Sequence, residues 1–293
     1  MKKPSIYLKT FSLMLSLGLV MSASVMAIAG LKPSSPNQEN QKLSETLVAG
    51  NKRLRFRRRG IRASRRRTGG FSRGMCQIGD QEQIVNITPL LPQVQTQELP
   101  EDEESSANVQ VPVELTVEEM PTFLVHVSET QVEEAVFTLL KEEGDIEKVV
   151  YENTISLKDK TPGIVSISLP APDAASSDHD GLETGEIYRW VVFIACDPND
   201  WSQNPRAEGW VKRIAKEDSL AQELAKTPEM QHPEVYAVHG VWTETVSSLA
   251  KLRERYPDNP QVQADWKDLL ESVGLENLVA ERPVNSPESR VEN

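Results

Sequence analysis

Cysteine is nearly absent, with two in 293 residues. That excludes a disulfide-dense mini-protein and a zinc module of four cysteines, and it leaves room for one bridge. Only four histidines are present, and metal sites need His, Cys or carboxylates clustered together. Beyond the first thirty residues no apolar run reaches about 18 residues, which excludes a multi-pass membrane protein. A G-x-S-x-G elbow is missing, and so are the P-loop and G-x-G-x-x-G phosphate cradles, so the common serine hydrolase and nucleotide-binding signatures have no footing.

At 38% hydrophobic residues, a chain of this length suits one or two soluble domains with a real core. The formal charge of -12 hides a split. Eleven cations (Lys52, Arg53, Arg55, Arg57, Arg58, Arg59, Arg62, Arg65, Arg66, Arg67, Arg73) fall in a stretch without Asp or Glu, so the rest sums to -12 - 11 = -23.

The start reads as a secretory signal peptide over residues 1–29. Lys2, Lys3 and Lys9 precede an apolar stretch from Phe11 to Val20, and Ala27-Ile28-Ala29 supplies the small residues of a cleavage site. The apolar stretch ends after about a dozen residues, short of a membrane anchor. No cysteine follows for lipidation and no Arg pair marks a twin-arginine signal. The mature protein is therefore expected to be exported, to the periplasm or beyond, where a Cys76–Cys196 bridge is chemically reasonable.

Composition divides the remainder. Residues 30–83 form a basic, Arg-rich arm, and 84–110 an acidic linker with one strand candidate from Ile84 to Leu91. Blocks of like charge with few large apolar residues bury too little to offset the entropy of ordering, so both are expected to be largely disordered. Over 111–215 the period is two: Phe123, Val125 and Val127; Ala135, Phe137 and Leu139; Val149, Tyr151 and Ile155; Val165, Ile167 and Leu169. Tyr188 to Cys196 is apolar on both faces, as a central strand covered on both sides should be, and Gly209 to Ile214 makes a last strand. Over 216–278 the period becomes helical, with a short helix from near Glu217, a long one from about Pro233 to Tyr256, and a partner from Val262 to Val273. Residues 279–293 read as a frayed tail. The fold class expected is mainly β with α: an antiparallel β-sandwich, Ig-like in outline, followed by a C-terminal helical hairpin.

Candidate chemistry is sparse. His232 and His239 share a helix face, but two ligands do not close a zinc site. The loop Asp178-His179-Asp180-Gly181 imitates a calcium loop, yet Ile187 stands where the bidentate Glu belongs. No metal or cofactor is expected. Of the many carboxylates, Asp197 and Glu208 are the least arbitrary pair for a glycosidase-like dyad, since they lie near Arg189 and Trp201 at the ends of Trp-bearing strands, and aromatic platforms beside carboxylates suit sugars. The competing reading makes Trp190 and Trp210 core residues. The arginine block, above all Arg57, Arg58, Arg59, Arg65, Arg66 and Arg67, suits an anionic envelope polymer or lipid surface. A merely solvated tail is the other reading of it. Export argues against nucleic acid as its physiological partner.

Several blocks together resemble a cyanobacterial family of exported proteins known as domain of unknown function 928. They are Arg-Arg-Gly followed by Gly-Gly and Cys76, Pro121-Thr122-Phe123, Pro162 to Pro170, Tyr188-Arg189-Trp190 leading to Cys196-Asp197, Glu208-Gly209-Trp210, Gly240-Val241-Trp242, and Trp266 to Leu275. The resemblance spans about Arg57 to Leu278 and implies a cyanobacterial envelope setting and a paired Cys76 and Cys196. It implies no activity. The chain departs from it at Trp242-Thr243-Glu244-Thr245, where the family usually reads Trp, an aromatic or His, Asp, Ala. The function expected is a non-catalytic envelope or interaction module, with the arm and Trp210 as binding elements and the helical hairpin open to a protein partner. The alternative is a hydrolase of an envelope polysaccharide using Asp197 and Glu208.

Overall fold

Alternating apolar and polar residues form half-buried strands because successive side chains point to opposite faces, and the computed structural model arranges these strands as two sheets. It describes residues 53–56, 73–78, 81–93, 112–144, 146–171, 180–197, 201 and 204–284. The signal segment 1–29, the six arm arginines named above and the end of the tail lie outside the described residues. Ten strands are formed: β1 (Arg73–Ile78), β2 (Gln81–Pro89), β3 (Val113–Thr116), β4 (Thr122–Val127), β5 (Glu134–Glu143), β6 (Ile146–Ser156), β7 (Gly163–Ser168), β8 (Ile187–Ile194), β9 (Arg206–Arg213) and the two-residue β10 (Pro283–Val284). One sheet has the order β1-β2-β4-β7-β10 and the other β3-β9-β8-β5-β6. Neighbours are antiparallel except β3 with β9 and β7 with β10.

The inner faces meet in a sandwich core. Phe123 of β4 lies 5.6 Å from Phe137 and 5.3 Å from Trp190, ring centre to ring centre, and Val125, Val127, Leu139, Val192 and Ile194 fill the same core. β4 is covered on both faces: Leu124 points away from the sandwich and joins Ile164 of β7 beneath the helices. In β8, by contrast, Arg189 and Phe193 on the outer face are only half-buried. Its apolar run suggested a second layer, but that face is shielded by side chains of its own sheet.

The helices are α1 (Asp218–Lys226), α2 (His232–His239), α3 (Trp242–Arg255) and α4 (Pro260–Ser272). The single long helix expected from Pro233 is two, because Gly240 adopts φ 71 and caps α2 in the left-handed conformation. The Asn259 side chain opens α4, accepting from the N–H groups of Gln261 (2.9 Å) and Val262 (3.2 Å). From α3 and α4, Trp242, Val246, Leu249, Trp266, Leu269 and Leu270 form one apolar layer on Leu124 and Ile164. The Trp242 indole N–H donates to the Leu90 carbonyl at 2.9 Å.

Two features tie the basic stretch to this body. Leu54 is buried in the helical layer, Phe56 meets Trp242 edge-on with centroids 4.9 Å apart, and the Phe56 N–H donates to Ser272 Oγ. At the other end, β1 pairs with β2 and Cys76 is bonded to Cys196, 120 residues away, with Cα atoms 5.0 Å apart. β1 therefore begins within the segment whose composition reads as a disordered arm. A lone Leu, a lone Phe and a short strand carry no periodic signal amid arginines.

Glu244, in the first turn of α3, is buried against β3. Its Oε1 accepts from the Thr116 hydroxyl and, at 3.4 Å, from the Glu118 N–H, while Oε2 has no hydrogen-bond partner among the described residues. Burial pushes this carboxyl from 4.5 up to about 7, the Thr116 hydrogen bond opposing the rise and the Glu118 charge adding to it.

Two stability predictions arise here. Replacing both cysteines with serine opens a loop of 120 residues, which on the chain-entropy model lowers stability by roughly 5 kcal/mol; an unchanged urea midpoint would contradict this. For Glu244, both states are protonated at low pH. Between about 4.5 and about 7 only the unfolded chain releases the proton, so stability falls by about 3 kcal/mol across that window. Glu244→Gln is expected to flatten that fall, with denaturant titrations at pH 4, 6 and 8 as the measurement, and an identical pH slope in both proteins would refute the assignment.

Candidate functional site

The outer face of the β3-β9-β8-β5-β6 sheet carries Glu208, Trp210 and Arg189 of the residues singled out from the sequence. Alternation along β9 sends Glu208 and Trp210 outward and leaves Gly209 facing the core. A Cβ on Gly209 would lie 2.6 Å from Leu91 Cδ1 and 2.8 Å from the Trp190 ring, so the Glu208-Gly209-Trp210 sequence is an acid and an indole flanking a position with no room for a side chain. Trp190 points inward and Trp210 outward, and both are buried. Trp210 packs with Val113 and Ile187 and its indole N–H donates to Glu142 Oε1 at 3.0 Å.

Arg189 on β8 sits between two carboxylates. One terminal nitrogen is 3.0 Å from Glu208 and the other 2.8 Å from Glu147 on β6. Burial raises the Glu208 carboxyl above its ordinary range, opposed by the charges of Arg189 and Arg206. Asp197 follows the end of β8. Its N–H donates to Asn204 Oδ1 at 2.9 Å, and Asn204 Nδ2 donates back to its carbonyl. Asp197 is thus level with Asn204, four residues before Glu208, a separation of about 13 Å at the rise of an extended strand.

Beyond Glu208 the register lays out two rows on this face. Val191, Thr138 and Glu152 continue the row of Glu208, and Phe193, Val136 and Thr154 continue the row of Arg206. Trp201, from the β8–β9 loop, meets Phe193 edge-on with centroids 6.0 Å apart. Val136, Thr138, Glu152, Asn153, Thr154, Phe193 and Trp201 line an open groove of about 610 Å³. Thr138, Glu152 and Phe193 were not singled out from the sequence. The signal was available in the alternation of β5, β6 and β8, but only the strand order brings those rows side by side.

The two histidines have separate partners. His232 Nε2 lies 2.9 Å from the Thr227 carbonyl at the end of α1, and His239 Nε2 lies 3.0 Å from Glu223. In the calcium-like loop, Asp178 and His179 fall outside the described residues. Among the described residues, no three His, Cys, Asp or Glu side chains converge as a metal would need.

A family model described as Domain of Unknown Function (DUF928) matches residues 68–284. No curated protein matches the chain.

The guanidinium clamp is testable by itself. Arg189→Met leaves Glu208 nearly buried without its closest cation, and is expected to cost about 2 kcal/mol at neutral pH, less than a fully buried pair because Arg189 is partly exposed. Adding Glu208→Gln should restore most of that loss, read as a coupling energy in a urea double-mutant cycle; additive effects would show the clamp to be idle.

Proposed function

The chain belongs to the DUF928 family, and on that premise we propose that it is an exported, non-catalytic interaction module that applies its arginine run to an anionic envelope polymer or lipid surface. The observation that carries this reading is the anchoring of described residues on both sides of the run: Leu54 and Phe56 beneath the helices, and Cys76 in β1 bonded to the end of β8. The residues that flank the basic segment are thus fixed to the body on both sides. With the three lysines of the signal segment removed, the rest of the mature chain sums to -12 - 3 - 11 = -26 and is repelled by the same anionic surface, so the run is the part of the chain that such a surface attracts. Each cation near such a surface contributes about 1 kcal/mol at low salt, and the attraction declines as salt rises. The engagement of Glu208 by Arg189 further favours a binding role, since a carboxylate so engaged is a poor general acid or base.

Because Leu54 and Phe56 belong to the helical core, the run is tested by neutralisation in the full mature chain. Arg57, Arg58, Arg59, Arg65, Arg66 and Arg67 are replaced by Gln, and cosedimentation is measured with vesicles of equal parts phosphatidylglycerol and phosphatidylcholine, and with dextran sulfate beads, across a salt series. The natural sequence should bind at least about tenfold more tightly at low salt and lose affinity more steeply. Equal affinity and equal salt slope on both materials would sink the proposal.

A further inference from the structure

We infer that the groove on the outer face of β5, β6 and β8, closed at one side by Trp201, is a binding site for an uncharged oligosaccharide chain. The inference rests on reading the protein as a non-catalytic binding module, and it adds a second site and a ligand class to that reading.

The groove combines two kinds of surface. Phe193 and Trp201 stand at 78° to each other, forming a corner of two aromatic faces, and Trp201 is 39% exposed. Beside them lie the hydroxyls of Thr138 and Thr154 and the carboxylate of Glu152, to which Thr138 Oγ1 donates at 3.2 Å. A sugar ring presents the same combination, with a C–H face that packs on an aromatic ring and a rim of hydroxyls that both donate and accept. A purely apolar ligand would leave the carboxylate and hydroxyls desolvated without partners. An anionic ligand would meet the Glu152 carboxylate, and among the described residues that line the groove there is no Lys or Arg, the nearest in register being Arg206 beside Phe193 at its margin. The volume of about 610 Å³ lies in the range of small-molecule sites and accommodates a few sugar rings.

The platform is also held in place. The loop bearing Trp201 leaves β8 at Cys196, whose sulfur is bonded to Cys76, and returns through the paired hydrogen bonds of Asp197 with Asn204. Phe193, Thr138 and Glu152 sit on strands in fixed register. Anchoring at both ends of the loop lowers the ordering cost of binding.

The tryptophans supply the readout. Of five, Trp190, Trp210, Trp242 and Trp266 are at most 2% exposed, so acrylamide-accessible emission reports Trp201. Cellohexaose, maltohexaose and chitohexaose are each titrated into the full mature protein, with quenching and calorimetry as measurements. At least one should protect Trp201 and bind, Trp201→Ala should weaken that binding by about tenfold or more, and Glu152→Gln by about threefold to tenfold, with melting temperatures of both variants near that of the natural chain. Absence of protection by all three up to their solubility limits, or equal affinity in Trp201→Ala, would overturn the site. Loss of saccharide binding alone leaves the arginine-run reading standing. Cleavage of a bound saccharide, read by chromatography, would overturn the non-catalytic reading while upholding the groove.

Discussion

The burial of β4 on both faces is the constraint around which the rest of the molecule is organised. Phe123, Val125 and Val127 enter the sandwich, Leu124 enters the helical layer, and each such side chain contributes roughly 1.5 to 3 kcal/mol by leaving water. A strand of six residues thus joins the two cores, together with its neighbour β7, whose Ile164 enters the helical layer while Val165 and Ile167 enter the sandwich. Among the described residues the helices cover the sheet containing β4 and reach the opposite sheet at its edge strand β3, with no helical layer over the outer face of β8, β5 and β6. That uncovered face carries the Arg189 clamp and the aromatic groove, so the candidate site is a consequence of where the helices dock.

Charge is distributed along the same lines. On the outer face Arg189 bridges Glu147 and Glu208, and elsewhere on the body Lys141 meets Glu183. The large cationic excess lies in one stretch of the chain, and its flanks are fastened to the body by apolar contacts on one side and a covalent bond on the other. Glu244 is the exception. It is buried with one oxygen unpartnered among the described residues, and burial favours its protonated form near neutrality. It joins the start of α3 to β3 through Thr116, so a proton there belongs to the contact between helix layer and sheet.

Much of this was legible beforehand. Strand positions followed from alternation in residues 122–127, 134–143 and 163–168, and the hairpin of α3 and α4 from apolar spacing around Trp242, Leu249, Trp266 and Leu270. Gly240 was visible as well, but its role as a helix terminator required its backbone conformation. Reading β8 as covered on both sides went astray because an apolar run reports low polarity and not the identity of the covering layer. Leu54 and Phe56 escaped notice for a related reason: the helical layer they join, and the Trp242 and Ser272 that Phe56 meets, lie about two hundred residues along the chain.

The sequence by itself determined the segregation of charge, the two periodicities and their boundaries, the family, and a single cysteine pair able to bridge. These are properties of residues close together in the chain, where period and composition act directly. Tertiary structure alone decided which sheet the helices cover, which carboxylates Arg189 engages, and that Trp210 is buried while Trp201 reaches solvent. Such outcomes depend on strand order and on contacts between distant segments, and a period of two specifies that a strand has two faces without specifying what lies against either.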